Sequence, residues 1–454
     1  MVPSRRRNEN LRALLGEARW TQAALARTVN ALGAEIDLEL HYDRTAVAHW
    51  LRGTRPAQPV PDLIAEAFTR RLGRAVPLAA AGFADDLGGA WGDRLGGFRT
   101  PVGTWLTELC SLESDPARRA DARLLPYREA ELARSARSPA PEPEPETAGG
   151  ADGAEGGLGV VRLAVRFFSA SFDAHGGQGA RSSLAAYLAD DIAPLLREGG
   201  HGARRRGLLV EASRLTFLLA RMHQDAAAHG LAQQHFTTAL RLADASGDTT
   251  ARAVVLRGLS AQGLALGHRK NALRAAEAAA ACPGASDGPA RAFLLSQLAV
   301  AQAACGRHRS ARASLTRAEE ALAAGAGCGA AEPFDAYSSG SLEFQRSEVL
   351  RYTGDLPAAR SALANSLARR PSADHRGMAL SHAQLGEILI GLGYVEESCV
   401  SWNSFLDHYA VLRSGAADQA AGRMRKLLTP FRKVPAARLV LQRARAVAAP
   451  SGRV

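Results

Sequence analysis

The feature that most constrains this chain is an internal register that recurs five times in its C-terminal half. In each segment a small residue is followed 12 positions later by a second, and an apolar or small anchor follows the second by 4. The positions are Ala220, Ala232 and Phe236; Ser260, Ala272 and Ala276; Ala299, Ala311 and Leu315; Ser347, Ala359 and Leu363; and Gly386, Ser398 and Trp402. A turn is predicted between the two small residues of each segment: His229-Gly230, Gly267-His268, Gly306-Arg307, Thr353-Gly354-Asp355 and Gly391-Leu392-Gly393. A helical hairpin accounts for the pattern. The first small residue lets the partner helix approach, glycine closes the turn, and the next face packs back. Successive second positions lie 40, 39, 48 and 39 residues apart. Repetition on this scale predicts a solenoid, in which each hairpin buries its apolar face against its neighbours.

The five segments resemble tetratricopeptide repeats with lengthened connectors, at 281–290 and 323–340. Composition agrees with a helical reading: hydrophobic residues make up 46% but aromatic residues only 6%, whereas sheet proteins draw on aromatic and β-branched residues. The expected fold class is therefore all-α. Residues 162–196 are expected to form two helices capping the array. Residues 412–449 are expected to form one or two amphipathic helices that cap the other end or mediate dimerisation.

One low-complexity stretch breaks the pattern. Residues 138–159, SPAPEPEPETAGGADGAEGGLG, are rich in Pro, Glu and Gly and are expected to be an extended, loose linker. The chain is thus expected to divide into a head (1–77), an intermediate helical region (78–137), the linker (138–159) and the repeat domain (160–449), with a short tail beyond.

The head carries a helix-turn-helix pattern. A first helix is expected over 8–18, with Leu11, Leu14 and Leu15 on one face. Thr21 is a good N-cap for a second helix, and Gln22 in its first turn can reach a phosphate. Asp43 is a good N-cap for a third, in which Val47, Trp50 and Leu51 face the core while Arg44, Thr45, Ala48, His49 and Arg52 face outward. Gly53 stops that helix, and Pro56, Pro59 and Pro61 lead into a fourth over 61–72. The outward face suits double-stranded DNA. Arg44 can take guanine O6 and N7, Thr45 and His49 can reach base edges or phosphates, and Arg52 and Arg55 can sit at the backbone. Residues 1–77 hold twelve Arg and eight acidic residues, a net charge of about +4, a modest footprint that points to binding helped by dimerisation.

This stretch resembles the Xre/Cro-like helix-turn-helix family, which implies sequence-specific DNA binding through the third helix. One departure is the long segment Ala31–Tyr42 between the second and third helices. There Ile36, Leu38 and Leu40 alternate with Glu35, Asp37 and Glu39, and these acids must point away from a bound duplex. Taken together, TQAALARTVNALG, DRTAVAHWLRGTRPAQPVPDLIAEAFTRRLG and AHGLAQQHFTTALRLADASGD resemble a group of actinobacterial regulators. These join such a head to a tetratricopeptide-like C-terminus and include NsdA-type regulators of sporulation and antibiotic production. The resemblance implies transcription regulation, with the C-terminal domain sensing a peptide or protein ligand or forming a homodimer. The alternative is an adaptor that uses its repeat groove for protein contacts and whose head does not bind DNA.

By the register, groove residues come from the first helix of each hairpin: Arg214, Arg221, Gln224, Arg257, Phe344, Glu348, Arg351 and Glu387. The Arg-rich first half suits a carboxylate or an acidic peptide. No catalytic, cofactor or metal site is expected. Gly284-Ala285-Ser286-Asp287-Gly288 matches a nucleophile elbow in letters only, since no strand precedes it. The five cysteines form no C-x-x-C pair. Arg5-Arg6-Arg7 is followed by Asn8-Glu9-Asn10 rather than by an apolar stretch, and no apolar run reaches membrane-spanning length. A cytoplasmic location without membrane contact is the expectation.

Overall fold

The computed structural model of the chain describes residues 7–36, 38–74, 76–83, 100–113, 116–137, 155–198, 202–283, 288–325 and 337–448. Among the described residues the fold is all-α, with no strand. Asp37, most of the linker (138–154), residues 284–287 of the elbow-like stretch and the tail beyond 448 lie outside the described residues.

The head consists of α1 (Glu9–Ala18), α2 (Gln22–Glu35), α3 (Arg44–Leu51) and α4 (Val60–Leu72). The first three starts follow from side-chain caps, while α4 starts without one, with a proline in its first turn. Asn8 Oδ1 accepts from the Leu11 amide (2.9 Å), Thr21 Oγ1 from the Ala24 amide (3.1 Å), and Asp43 Oδ1 from the Thr45 and Ala46 amides (2.9 and 3.0 Å). α3 ends before Gly53, which takes the left-handed conformation (φ +94°) that glycine alone adopts without penalty. Leu11, Leu25, Val29, Val47, Trp50, Leu63, Ile64 and Phe68 form the core. That core runs past residue 77, where the sequence places the end of the head. A 3-10 turn (Leu78–Ala81) carries Ala81 and Phe83 into it, and Asn8 Nδ2 holds the turn by donating to the Ala81 carbonyl (2.9 Å).

Three short helices follow, α5 (Val102–Ser111), α6 (Pro116–Arg123) and α7 (Glu129–Ser135). They join the head to the repeats. Next, α8 (Glu155–His175) begins inside the stretch assigned to the linker. Its apolar side chains Val161, Val165, Phe168 and Phe172 recur at helical spacing on a buried face, and this packing carries the glycines at its start into the helix. A second capping element runs through α9 (Arg181–Tyr187), one π-helical turn and α10 (Ala193–Glu198).

The repeat domain is a stack of antiparallel helix pairs: α11 (Gly202–Asp225) with α12 (His229–Ser246), α13 (Thr249–Ala265) with α14 (Arg269–Ala281), α15 (Pro289–Ala304) with α16 (His308–Ala324), α17 (Ser339–Tyr352) with α18 (Leu356–Arg369), and α19 (His375–Gly391) with α20 (Val395–Tyr409). All fifteen register positions are buried. At Gly386 the reason for a small residue is explicit, because an added Cβ would lie 2.6 Å from the Trp402 ring. α21 (Gly415–Leu428) and α22 (Pro435–Ala448) cap the far end, placing Met424, Leu428, Ala437 and Val440 against Trp402 and Phe405.

The turns obey one rule that the sequence partly hides. Gly267, Gly306, Gly354 and Gly393 are left-handed (φ +75° to +86°), and each stands five residues before the second small position. In the first hairpin that slot holds Ala227, also left-handed (φ +61°). The turn expected at His229-Gly230 therefore sits at Ala227 instead. Gly230 lies within α12, and a glycine is needed there because the Leu125 carbonyl oxygen comes 2.0 Å from where a Cβ would stand.

The array also bends back on itself, so that its first pair meets its last. Buried Asp225, at the end of α11, accepts from the Gly177 amide (2.9 Å), from Arg376 Nε on α19 (2.8 Å) and from Ser414 Oγ (3.0 Å). The Arg413 amide donates to the His175 carbonyl (2.7 Å).

Candidate functional site

α3 presents one face to the core and one to solvent. Val47, Trp50 and Leu51 are buried, while Arg44, Thr45, His49 and Arg52 are exposed and Ala48 is partly so. Arg52 Nε donates to the Ala48 carbonyl (3.2 Å), which lays that side chain along the end of the helix. Arg55 is exposed just beyond it. Thr21 is exposed and Gln22 partly exposed at the start of α2. The N-cap hydrogen bonds, the Ala46 amide first, hold the Asp43 carboxyl below its ordinary range, so the charge there serves the helix end.

The long segment between α2 and α3 is folded onto the head. Asn30 clamps it from both sides: its Nδ2 donates to the Tyr42 carbonyl and its Oδ1 accepts from the Tyr42 amide, both at 2.9 Å. Leu38 and Leu40 pack on the core. Leu40 comes so close to α2 that a Cβ on Gly33 would lie 2.6 Å from its Cδ1. Glu35 is taken by Arg70 of α4, which donates to both its carboxylate oxygens (2.6 and 2.8 Å). Glu39 is exposed, with His41 Nε2 at 3.7 Å.

Arg70 also ties the head to the rest of the chain. It donates to Glu66 Oε1 (2.9 Å) and to the Tyr127 carbonyl (3.0 Å). The Glu129 amide donates to Glu66 (3.1 Å), and Arg128 lies 3.7 Å from Asp62. On its other side the same segment is bound to the repeats. Gln233 brackets the Arg128 backbone with two 2.8 Å hydrogen bonds, and the Tyr127 ring stacks on His268 with centroids 5.2 Å apart. Residues 124–136 thus form a bridge fixed at both ends. The chain's route from head to repeats does not depend on 138–159 alone.

The groove residues named from the register separate into three places. Arg214 pairs with Glu211 (3.2 Å), near Arg162 and Arg206. Glu348, Arg351 and Glu387 meet at the α17–α19 side. Arg351 donates to Glu348 (3.1 Å) and Arg423 to Glu387 (2.7 Å), around a pocket that includes Leu356, Ile388, Lys426 and Leu427. Arg221, Arg257 and Phe344 lie on the inner face, and Gln224 is partly exposed one turn beyond Arg221.

The inner face gathers residues from six helices, α8, α11, α13, α15, α17 and α19. Arg221 and Arg376 both lie over the Phe172 ring of α8, at 4.8 and 4.6 Å. Arg257 stacks on Phe293 of α15 at 3.7 Å, and its Nε donates to the Phe293 carbonyl (3.3 Å). Arg370 lies 5.7 Å over Phe344 and donates to Asp374 (2.5 Å). Tyr337 donates to Ser296 (2.9 Å) beside them. Burial depresses the guanidinium of Arg257 to about 10, lowers that of Arg221 and pushes the Asp173 carboxyl up. Sequence reasoning missed Phe172, Asp173, Phe293, Tyr337, Arg370 and Arg376. Phe172 and Asp173 belong to a capping helix, and Tyr337, Arg370 and Arg376 sit outside the register, so no periodic signal marks them.

A family model described as the SP15 N-terminal domain matches residues 11–84, a span that ends where the head's core ends. No curated protein matches the chain. Among the described residues, no helix is long and apolar enough to cross a membrane, and no group of three or more His, Cys, Asp or Glu is placed to hold a metal ion.

Proposed function

We propose that the chain is a DNA-binding transcriptional regulator of the Xre/Cro-like kind, with α3 as the element that enters the major groove and the repeat domain as its sensing or dimerising part. The observation that carries this is the outward face of α3: Arg44, Thr45, Ala48 and His49 stand on one side of a capped, core-anchored helix. That is the residue set and geometry direct readout uses. The pairing of Glu35 with Arg70 offsets one of the acids that would repel phosphate. The bridge at 124–136 supports a regulatory arrangement, because it ties the head's orientation to that of the repeats. Control of development or secondary metabolism, and action as a homodimer, belong to the same proposal.

The test is selection from a random duplex library by the intact protein at physiological salt. A regulator enriches a defined motif, and a dimer enriches two half-sites about one helical turn apart. Unenriched pools favour the adaptor reading, in which the repeats bind protein partners and the head contacts no DNA.

A further inference from the structure

The inner face of the repeat domain carries charge that the protein itself does not balance. Four guanidiniums converge there, Arg221, Arg257, Arg370 and Arg376, with three carboxylates, Asp173, Asp225 and Asp374. Asp225 is taken by Arg376 (2.8 Å) and Asp374 by Arg370 (2.5 Å). Asp173 remains for Arg221, no carboxylate is set against Arg257, and among the described residues neither of these two arginines forms an ion pair. One positive charge is left over. Arg257 spends one N–H on the Phe293 carbonyl, which leaves its two terminal amino groups without a described partner. Both side chains remain partly open to water. A partly desolvated guanidinium without a counter-ion is costly, and a fork of this kind matches a carboxylate in geometry as well as charge. Phe172, Phe293, Phe344 and Tyr337 supply apolar and aromatic walls around the same place.

We infer that Arg221 and Arg257 form a receptor site on the inner face for one carboxylate group carried on an apolar or aromatic body. The inference rests on reading the repeat domain as a sensor and names the class of ligand it senses. A free aromatic acid and the C-terminal carboxylate of a short peptide present the same chemistry. Because the site lies at the meeting of α8, α11, α13 and α19, occupancy adds a bond where the array closes on itself.

The experiment is isothermal titration of the intact protein, without DNA, so that a head which binds no DNA leaves the result unaffected. The probes are 3-phenylpropionate, the tripeptide Ala-Ala-Phe, and the carboxamide of each. At least one free acid is expected to bind. Its amide is expected to bind at least about tenfold more weakly, as one charge-assisted pair implies. Whichever acid binds better identifies the source. Arg257→Met is expected to give the same tenfold loss, and Arg423→Met, in the separate pocket beside Glu387, none. Absence of heat with both acids, equal binding of acid and amide, or undiminished binding by Arg257→Met overturns the assignment. The acid–amide comparison decides it on the unaltered chain if the Arg257 variant does not fold.

Discussion

The turn slot shared by the five hairpins makes a quantitative prediction. Ala227 occupies, at φ +61°, the position that glycine holds in the other four. A left-handed backbone costs an L-residue about 1–2 kcal/mol. Glycine escapes this but surrenders about 0.5–1 kcal/mol more chain entropy on folding. Ala227→Gly is therefore expected to stabilise the repeat domain by about 0.5–1 kcal/mol. Gly267→Ala is its mirror. An added Cβ there meets nothing within 4 Å, so the cost is conformational alone and the expected loss is also about 0.5–1 kcal/mol. Combined, the two changes are expected to cancel nearly, because the turns belong to different hairpins. The assay is urea unfolding followed by far-UV circular dichroism on the intact chain, comparing midpoints at a shared slope. A neutral or destabilising Ala227→Gly, with Gly267→Ala also silent, would refute the common turn slot.

Two further outcomes follow from particular contacts. Gly230→Ala places a Cβ against the Leu125 carbonyl oxygen and is expected to lift the bridge from α12. Limited proteolysis should then cut at 124–137 at least several-fold faster, and an unchanged rate counts against the bridge. His235 is fully buried with neither ring nitrogen hydrogen-bonded, and burial depresses it from 6.5 to about 3. Its folded value lies below its unfolded one, so the stability tied to its neutrality is complete above about pH 6.5 and is lost as pH falls toward 3. His235→Leu should flatten stability against pH between 6 and 4 by about 1.4 kcal/mol per unit, read from urea midpoints. An unchanged slope would contradict that burial.

What the sequence revealed and what it did not have separate physical causes. Local chemistry was legible. Thr21 and Asp43 cap the helices they were expected to cap, and Val47, Trp50 and Leu51 are buried as periodicity requires. Every register position is buried as well, because helix packing imposes small residues at fixed spacing. Long-range contacts were not legible. Gly230 looked like a turn residue, but its smallness answers Leu125, about a hundred residues away in sequence. The first turn rests on an alanine that no propensity marks. The extension of the head to Phe83 depends on Asn8 reaching Ala81. The inner-face cluster joins α8 to α19 through Asp225 and Arg376, residues that share no periodicity. The groove set split for the same reason: the register gives the side of a helix, while the bend of the array decides which of those sides meet.

The central proposal is that α3 reads DNA, and one comparison tests it most directly. Sheared genomic DNA retained by the intact protein at physiological salt is sequenced beside that retained by an Arg44→Ala/His49→Ala variant with an unchanged melting curve. Each base-reading side chain is worth about 1–3 kcal/mol of discrimination, so the protein is expected to enrich a shared motif that the variant loses by about tenfold or more. Equal enrichment by both proteins, or no motif with either, would contradict the account.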